Sequence, residues 1–162
     1  MIEIIDYDSN WISIYKNEEK IIRDIEKNNL IEIHHIGSTA IPNIKAKPKV
    51  DILLVVKSFD DLNISKFENQ KYKYRGEIIK SGRYFAKQKP HVHLHVFEKN
   101  NPKIDEFLNF RDFLINNEKE KKEYENLKIY LSKIHPNKGM DYANAKNDFV
   151  KKILKKIKEE KF

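Results

Sequence analysis

The stretch Lys49 to Val56, KVDILLVV, constrains this chain more than any other: after the lysine, every residue but one is aliphatic, and no polar–apolar alternation runs through it. An alternating strand wets one face, whereas a continuous aliphatic run is a strand buried on both. It therefore predicts a central strand in a sheet flanked by helices. Asp51 alone breaks the run. An unpaired carboxylate there costs several kcal/mol to bury, so it needs a partner. Backbone N–H groups or nearby Lys47 or Lys49 can satisfy it, or it serves as a metal ligand or general base.

The rest of the chain supplies that setting. Asn10 is placed to cap a helix from Trp11 to about Asn28, whose Trp11, Ile14, Tyr15, Ile21, Ile22 and Ile25 form an apolar stripe. Ile31 to Ile36 reads as a strand, broken by Gly37-Ser38-Thr39, and a loop holding Pro42 and Pro48 leads into the central strand. Phe59 to Asn69 predicts a short helix, and Lys71 to Ile79 and Arg83 to Lys87 predict strands around a turn at Ser81-Gly82. His91 to Phe97 alternates cleanly, with Val92, Leu94 and Val96 on one face and His91, His93, His95 and Phe97 on the other. From about Lys103 the apolar spacing turns helical and stays so to about residue 160. With 162 residues and no Gly/Ser/Pro-rich linker or internal repeat, this is one α+β domain. A mixed strand and helix part fills residues 1–100 and a helical part residues 103–160.

Charge narrows the partners. The 32 basic residues exceed the 25 acidic ones, but only Arg23, Arg75, Arg83 and Arg111 are arginine. Base readout and bidentate phosphate clamps draw on arginine, so the lysine excess speaks for a solvated surface and against specific nucleic-acid binding. Lys128 and Lys146 are expected to be among those solvated lysines, and the tyrosines of the helical part to be core. Cysteine is absent, which removes thiolate metal sites and cysteine nucleophiles. The start, MIEIIDYDSNW, is acidic where a signal peptide is basic, and no stretch approaches the ~20 apolar residues of a membrane span. A cytoplasmic protein without a membrane partner is the expectation.

Three constellations carry possible chemistry. Gly37-Ser38, with Thr39 beside it, ends a strand at a tight turn, where backbone N–H groups and hydroxyls can hold a phosphate or simply turn the chain. Asp51 is the second. The third is H-x-H-x-H at His91, His93 and His95, whose side chains share one strand face about 6.5 to 7 Å apart. Such imidazoles can converge on a metal or a phosphate, or lie under a helix. If the strand holding His34 and His35 neighbours the histidine strand, one of those two joins the group. Glu77 and Arg83 either project into the same cleft or pair at the surface. In FRDFL, Arg111 or Asp112 is placed to dock a helix on the sheet.

The run HHIGSTAIPNIKAKPKVDILLVV, followed by GRYF, HLHVFE, FRDFL, YENLK and a late Tyr-Ala-x-x-Lys, resembles the GrpB-like family, placed with the nucleotidyltransferase fold superfamily. The resemblance covers nearly the whole chain. It implies a sheet in which a Gly-Ser turn holds nucleotide phosphates, two acids on the next strand bind divalent metals and a third acid comes from a later strand. Gly37 and Ser38 match the turn and Asp51 the first acid, while Leu53 stands where the second acid belongs and His93 and His95 where the third is expected. Histidine favours manganese or zinc over magnesium, so a divalent ion on Asp51, His93, His95 and His35 would depart from a two-magnesium arrangement. The expected function is binding of a phosphorylated small molecule or nucleotide, with metal-dependent nucleotidyl transfer as its reaction. A non-catalytic binding module of the same fold and a metal-dependent phosphoester hydrolase are the alternatives.

Overall fold

In the computed structural model, which describes residues 3–136 and 139–160, the central strand sits where its composition demands. The elements run α1 (Asn10–Glu26), β1 (Leu30–Ile36), β2 (Val50–Val56), α2 (Ile64–Asn69), β3 (Lys73–Gly76), β4 (Gly82–Lys87), β5 (Val92–Glu98), α3 (Pro102–Asn116), α4 (Glu118–Ile134) and α5 (Gly139–Glu160). The sheet order is β1-β2-β5-β4-β3. β2 pairs antiparallel with β1 and parallel with β5, so the sheet is mixed. The expected α+β class is the observed one.

Both sides of β2 are covered because its side chains alternate between two apolar layers. Ile52, Leu54 and Val56 join Val92, Leu94, Val96, Phe85 and the Trp11, Ile22 and Ile25 stripe of α1. Leu53 and Val55 join Ile36 and Phe97 under Ile104, Phe107 and Leu108 of α3. A third cluster binds the helical half to the loop before β2: Ile41 and Ile44 pack with Phe113, Leu114, Tyr124 and Ile153. Arg111 adds a polar anchor, its Nη1 donating to the His35 carbonyl at 3.0 Å, so the docking residue of FRDFL is the arginine.

Several boundaries move. α1 begins at Asn10 with Ser9 at the N-cap position, and the Asp8 Oδ1 just before it accepts from the Asn10 N–H at 2.8 Å. The Phe59–Asn69 segment is a short turn of 3₁₀ helix, Phe59–Asp61, and then α2, because the Ser58 side chain caps the first piece. The long strand expected from Lys71 shrinks to Lys73–Gly76, where Gly76 takes a positive φ of 72° and ends the pairing.

Candidate functional site

At the Asp51 end of β2 the apolar cover stops, and a small cleft of about 50 Å³ opens. Gly37 and Ser38 line it from the turn after β1, Lys47, Lys49 and Asp51 from the entrance to β2, Tyr124 and Lys128 from α4, and Tyr142 and Lys146 from α5. Each helix presents a tyrosine and a lysine four residues apart, the spacing that stacks two side chains on one helical face.

The turn is built around Asp51. Gly37 has φ 75°, and a Cβ placed on it would stand 2.6 Å from Asp51 Oδ2. Any other residue is excluded twice, by backbone conformation and by space. Burial raises the Asp51 carboxyl pKa, but the Lys49 ammonium 3.7 Å from Oδ2 and the neighbouring His95 and His93 rings outweigh it, holding the group well below the ordinary carboxylate range. Asp51 is therefore an anion with a cation beside it.

The lysines are crowded. Lys128 is only 2% exposed, its Nζ donating to the Lys45 carbonyl at 2.8 Å and lying 4.8 Å from the Tyr124 ring centroid. Burial, then the Lys146 cation, pull its pKa down to about 7, against the pull of Glu125. Burial and the charges of Lys49 and Lys146 bring Lys47 to about 8. Lys128 thus corrects the expectation of a solvated side chain: the long stem is buried under the loop, and only the amine reaches the cleft. Lys146 likewise lines the cleft and is half-buried. The Tyr142 ring carries two ammonium groups over it, Lys47 at 4.6 Å and Lys146 at 5.6 Å from its centroid. Tyr142 is 1% exposed, and its hydroxyl has no hydrogen-bond partner.

Glu125 fixes the loop that carries these groups. Its Oε2 accepts from the Lys45 N–H at 2.6 Å, and Lys122 pairs with Oε1 at 2.8 Å. The Ser38 hydroxyl donates to the Tyr124 hydroxyl at 3.3 Å, tying the turn to α4.

The histidines divide. His93 pairs with Asp51 in the β2–β5 register, and its Nδ1 lies 3.8 Å from Asp51 Oδ1, with His95 Nε2 at 3.7 Å. Burial, then Lys49, lower the His93 pKa to about 4, so the ring is neutral at pH 7. His91 falls just outside β5, its Nε2 3.2 Å from that of His93. His35 does not join them. β1 neighbours β2 and not β5, and the register sets His35 opposite Ile52, on the α1 side, where it stacks on Tyr15 at 4.9 Å and shares a 3.0 Å hydrogen bond with Thr39. Glu77 instead accepts from the Ser81 N–H at 2.7 Å, and Arg83 lies over the Phe59 ring at 4.3 Å. Thr39, Glu77 and Arg83 do not line the cleft.

The donor set does not fit a divalent metal. Among the described residues no three His, Cys, Asp or Glu side chains are grouped to hold one. Asp51, its one carboxylate, is already matched by Lys49, and the other cleft charges repel a cation. The arrangement suits an anion, with ammonium groups, hydroxyls and a glycine turn around it.

The fold and cleft together define an α+β protein with a lysine-lined cleft at the end of its central strand. A family model described as GrpB protein matches residues 1–156, and the chain belongs to the GrpB family. It is 34% identical to the glutamate-rich protein GrpB of Alkalihalophilus pseudofirmus, with 95% of this chain and 94% of that protein covered. Its identity to the UPF0157 protein YqkA of Bacillus subtilis is 37% over 93% of this chain, which spans 45% of that longer relative. The crystal structure of the conserved protein GrpB from Enterococcus faecalis superposes with a TM-score of 0.86 at 30% identity, over 96% of this chain and 99% of that one. No described helix is long and apolar enough to cross a membrane.

Proposed function

We propose that the chain binds a phosphorylated small molecule or nucleotide, seating a phosphate group in the cleft between the Gly37-Ser38 turn and the helical half. One observation carries the reading: four lysines, two from the loop before β2 and one each from α4 and α5, line the cleft with a single carboxylate among them. Lysines that repel one another need an anion to share. Calorimetric titration with nucleotides and sugar phosphates, each run against its dephosphorylated counterpart, tests it. Binding that follows the phosphate supports the reading. Equal or absent binding of both members in every pair refutes it.

Nucleotidyl transfer is the second reading, favoured by His93 and His95 flanking the ionised Asp51, though neither histidine lines the cleft itself. In it an imidazole takes the proton of an attacking hydroxyl while the lysines take up the charge of the departing diphosphate. With water as acceptor the same groups give phosphoester hydrolysis. Turnover of a nucleoside triphosphate that releases diphosphate, and that disappears in Asp51→Asn, separates transfer from binding alone.

A further inference from the structure

We propose that the cleft takes a condensed phosphate, diphosphate itself or the diphosphate end of a nucleotide, with lysine ammonium groups in place of a divalent metal as its counter-charge. The inference rests on the phosphorylated-ligand reading and adds both the class of phosphate and the source of charge.

The charge inventory comes first. Lys47, Lys49, Lys128 and Lys146 line the cleft with Asp51 as the one carboxylate, and Lys49 Nζ stands 3.7 Å from it. Among the described residues Lys47, Lys128 and Lys146 form no salt bridge. Three cations from three separate elements are thus left to face the ligand. A phosphate monoester brings two negative charges, and a fully ionised diphosphate brings enough to match all three. A magnesium diphosphate complex would carry its own dication into the same lysines.

Tyr142 supplies a second, independent observation. Tyr142 lines the cleft, its buried hydroxyl has no hydrogen-bond partner, and the ammonium groups of Lys47 and Lys146 lie over its ring. A buried hydroxyl in that state calls for an acceptor oxygen, and a phosphate oxygen among lysines is one. Compact ammonium groups on flexible stems also suit an extended chain of phosphate oxygens better than one planar clamp.

Calorimetry on the full chain, with inorganic phosphate and with diphosphate as probes, in EDTA and then in excess magnesium, tests the inference. Diphosphate should bind at least tenfold more tightly than phosphate in EDTA, and magnesium should weaken it by competing for the ligand. Binding of diphosphate that requires or is strengthened by magnesium overturns the inference while leaving the phosphorylated-ligand reading intact, as does phosphate binding as tightly as diphosphate. If neither probe binds in either condition the inference fails, and the phosphorylated-ligand reading falls with it only where the paired nucleotide and sugar-phosphate titrations are also silent. Lys146→Gln, at a half-buried helix position, should lower diphosphate affinity at least tenfold, and Tyr142→Phe several-fold without altering the unfolding midpoint of the free protein. Unchanged affinity in both variants overturns the lysine assignment.

Discussion

Two buried lysines on opposite sides of the sheet show how differently the same side chain is used. Lys87, 7% exposed on the α1 side, donates to Glu18 Oε1 at 2.8 Å, and Tyr72 donates to the same oxygen at 2.6 Å. That trio is closed. Lys128, 2% exposed under the helical half, donates to a backbone carbonyl, lies over the Tyr124 ring and forms no salt bridge among the described residues, with three other lysines and Asp51 lining the same cleft. A buried charge with its counter-ion built in is architecture, whereas one held short of a counter-ion is the feature on which the proposed anion binding rests.

The sharpest way to break this comparison is to remove the built-in partner. Glu18→Gln leaves Lys87 uncompensated and should lower stability by about 3–5 kcal/mol in urea unfolding, with phosphate binding by the remaining folded protein unchanged. A loss of affinity with intact stability would dissolve the distinction between the two sides. Gly37→Ala comes next. It forces a left-handed backbone onto alanine and presses its Cβ into the Asp51 carboxylate, so a loss of about 2–3 kcal/mol is expected. A stable variant with full binding would show that the turn is not built around Asp51.

Lys128→Met should have the opposite profile: diphosphate affinity at least tenfold lower in calorimetry, equivalent to about 1.4 kcal/mol, with a smaller change in unfolding free energy. A variant that binds normally would return Lys128 to the structural class. The last effect is in pH and is spread over several units. The unfolded lysine keeps its proton to about pH 10.4, but folded Lys128 loses it near 7, so above pH 7 the unfolded chain binds more protons. Stability should therefore rise with pH between about 7 and 10, by at most about 1.4 kcal/mol per unit relative to Lys128→Met. Lys47, depressed to about 8, adds the same sign over a narrower range. Anion affinity should fall over the same interval as the amines lose charge. Parallel stability curves for the two proteins would rule out the depressed amine.

Much of the site was legible as residues and little of it as an arrangement. Gly37, Ser38, Lys47 and Asp51 stood out through turn chemistry and a charge in an aliphatic run, and all four line the cleft. Lys128, Lys146 and Tyr142 did not. In a chain with 28 lysines, one more on a helix carries no signal, and a tyrosine at helical spacing reads as core. The signal that could have found them was the repeated Tyr-x-x-x-Lys, in Tyr124 to Lys128 and again in Tyr142 to Lys146. His35, Glu77 and Arg83 were drawn into the cleft by residue type, and the fold places them elsewhere. One position along β1 decides the first of these, since a neighbour in a strand points to the other face.

By itself the sequence determined the central strand, the α+β class, the glycine turn and the family, because these depend on local periodicity, backbone sterics and motif order. Only the tertiary structure decided which charges meet. Lys45 and Lys128 are 83 residues apart, and Ser38 and Tyr124 are separated by 86. Helical periodicity says which face of α4 and α5 is apolar, but it does not say which end of the sheet that face covers. Packing of Ile41 and Ile44 against the helical half sets that position. It delivers two helices' lysines to a turn that, in sequence, has one aspartate for company.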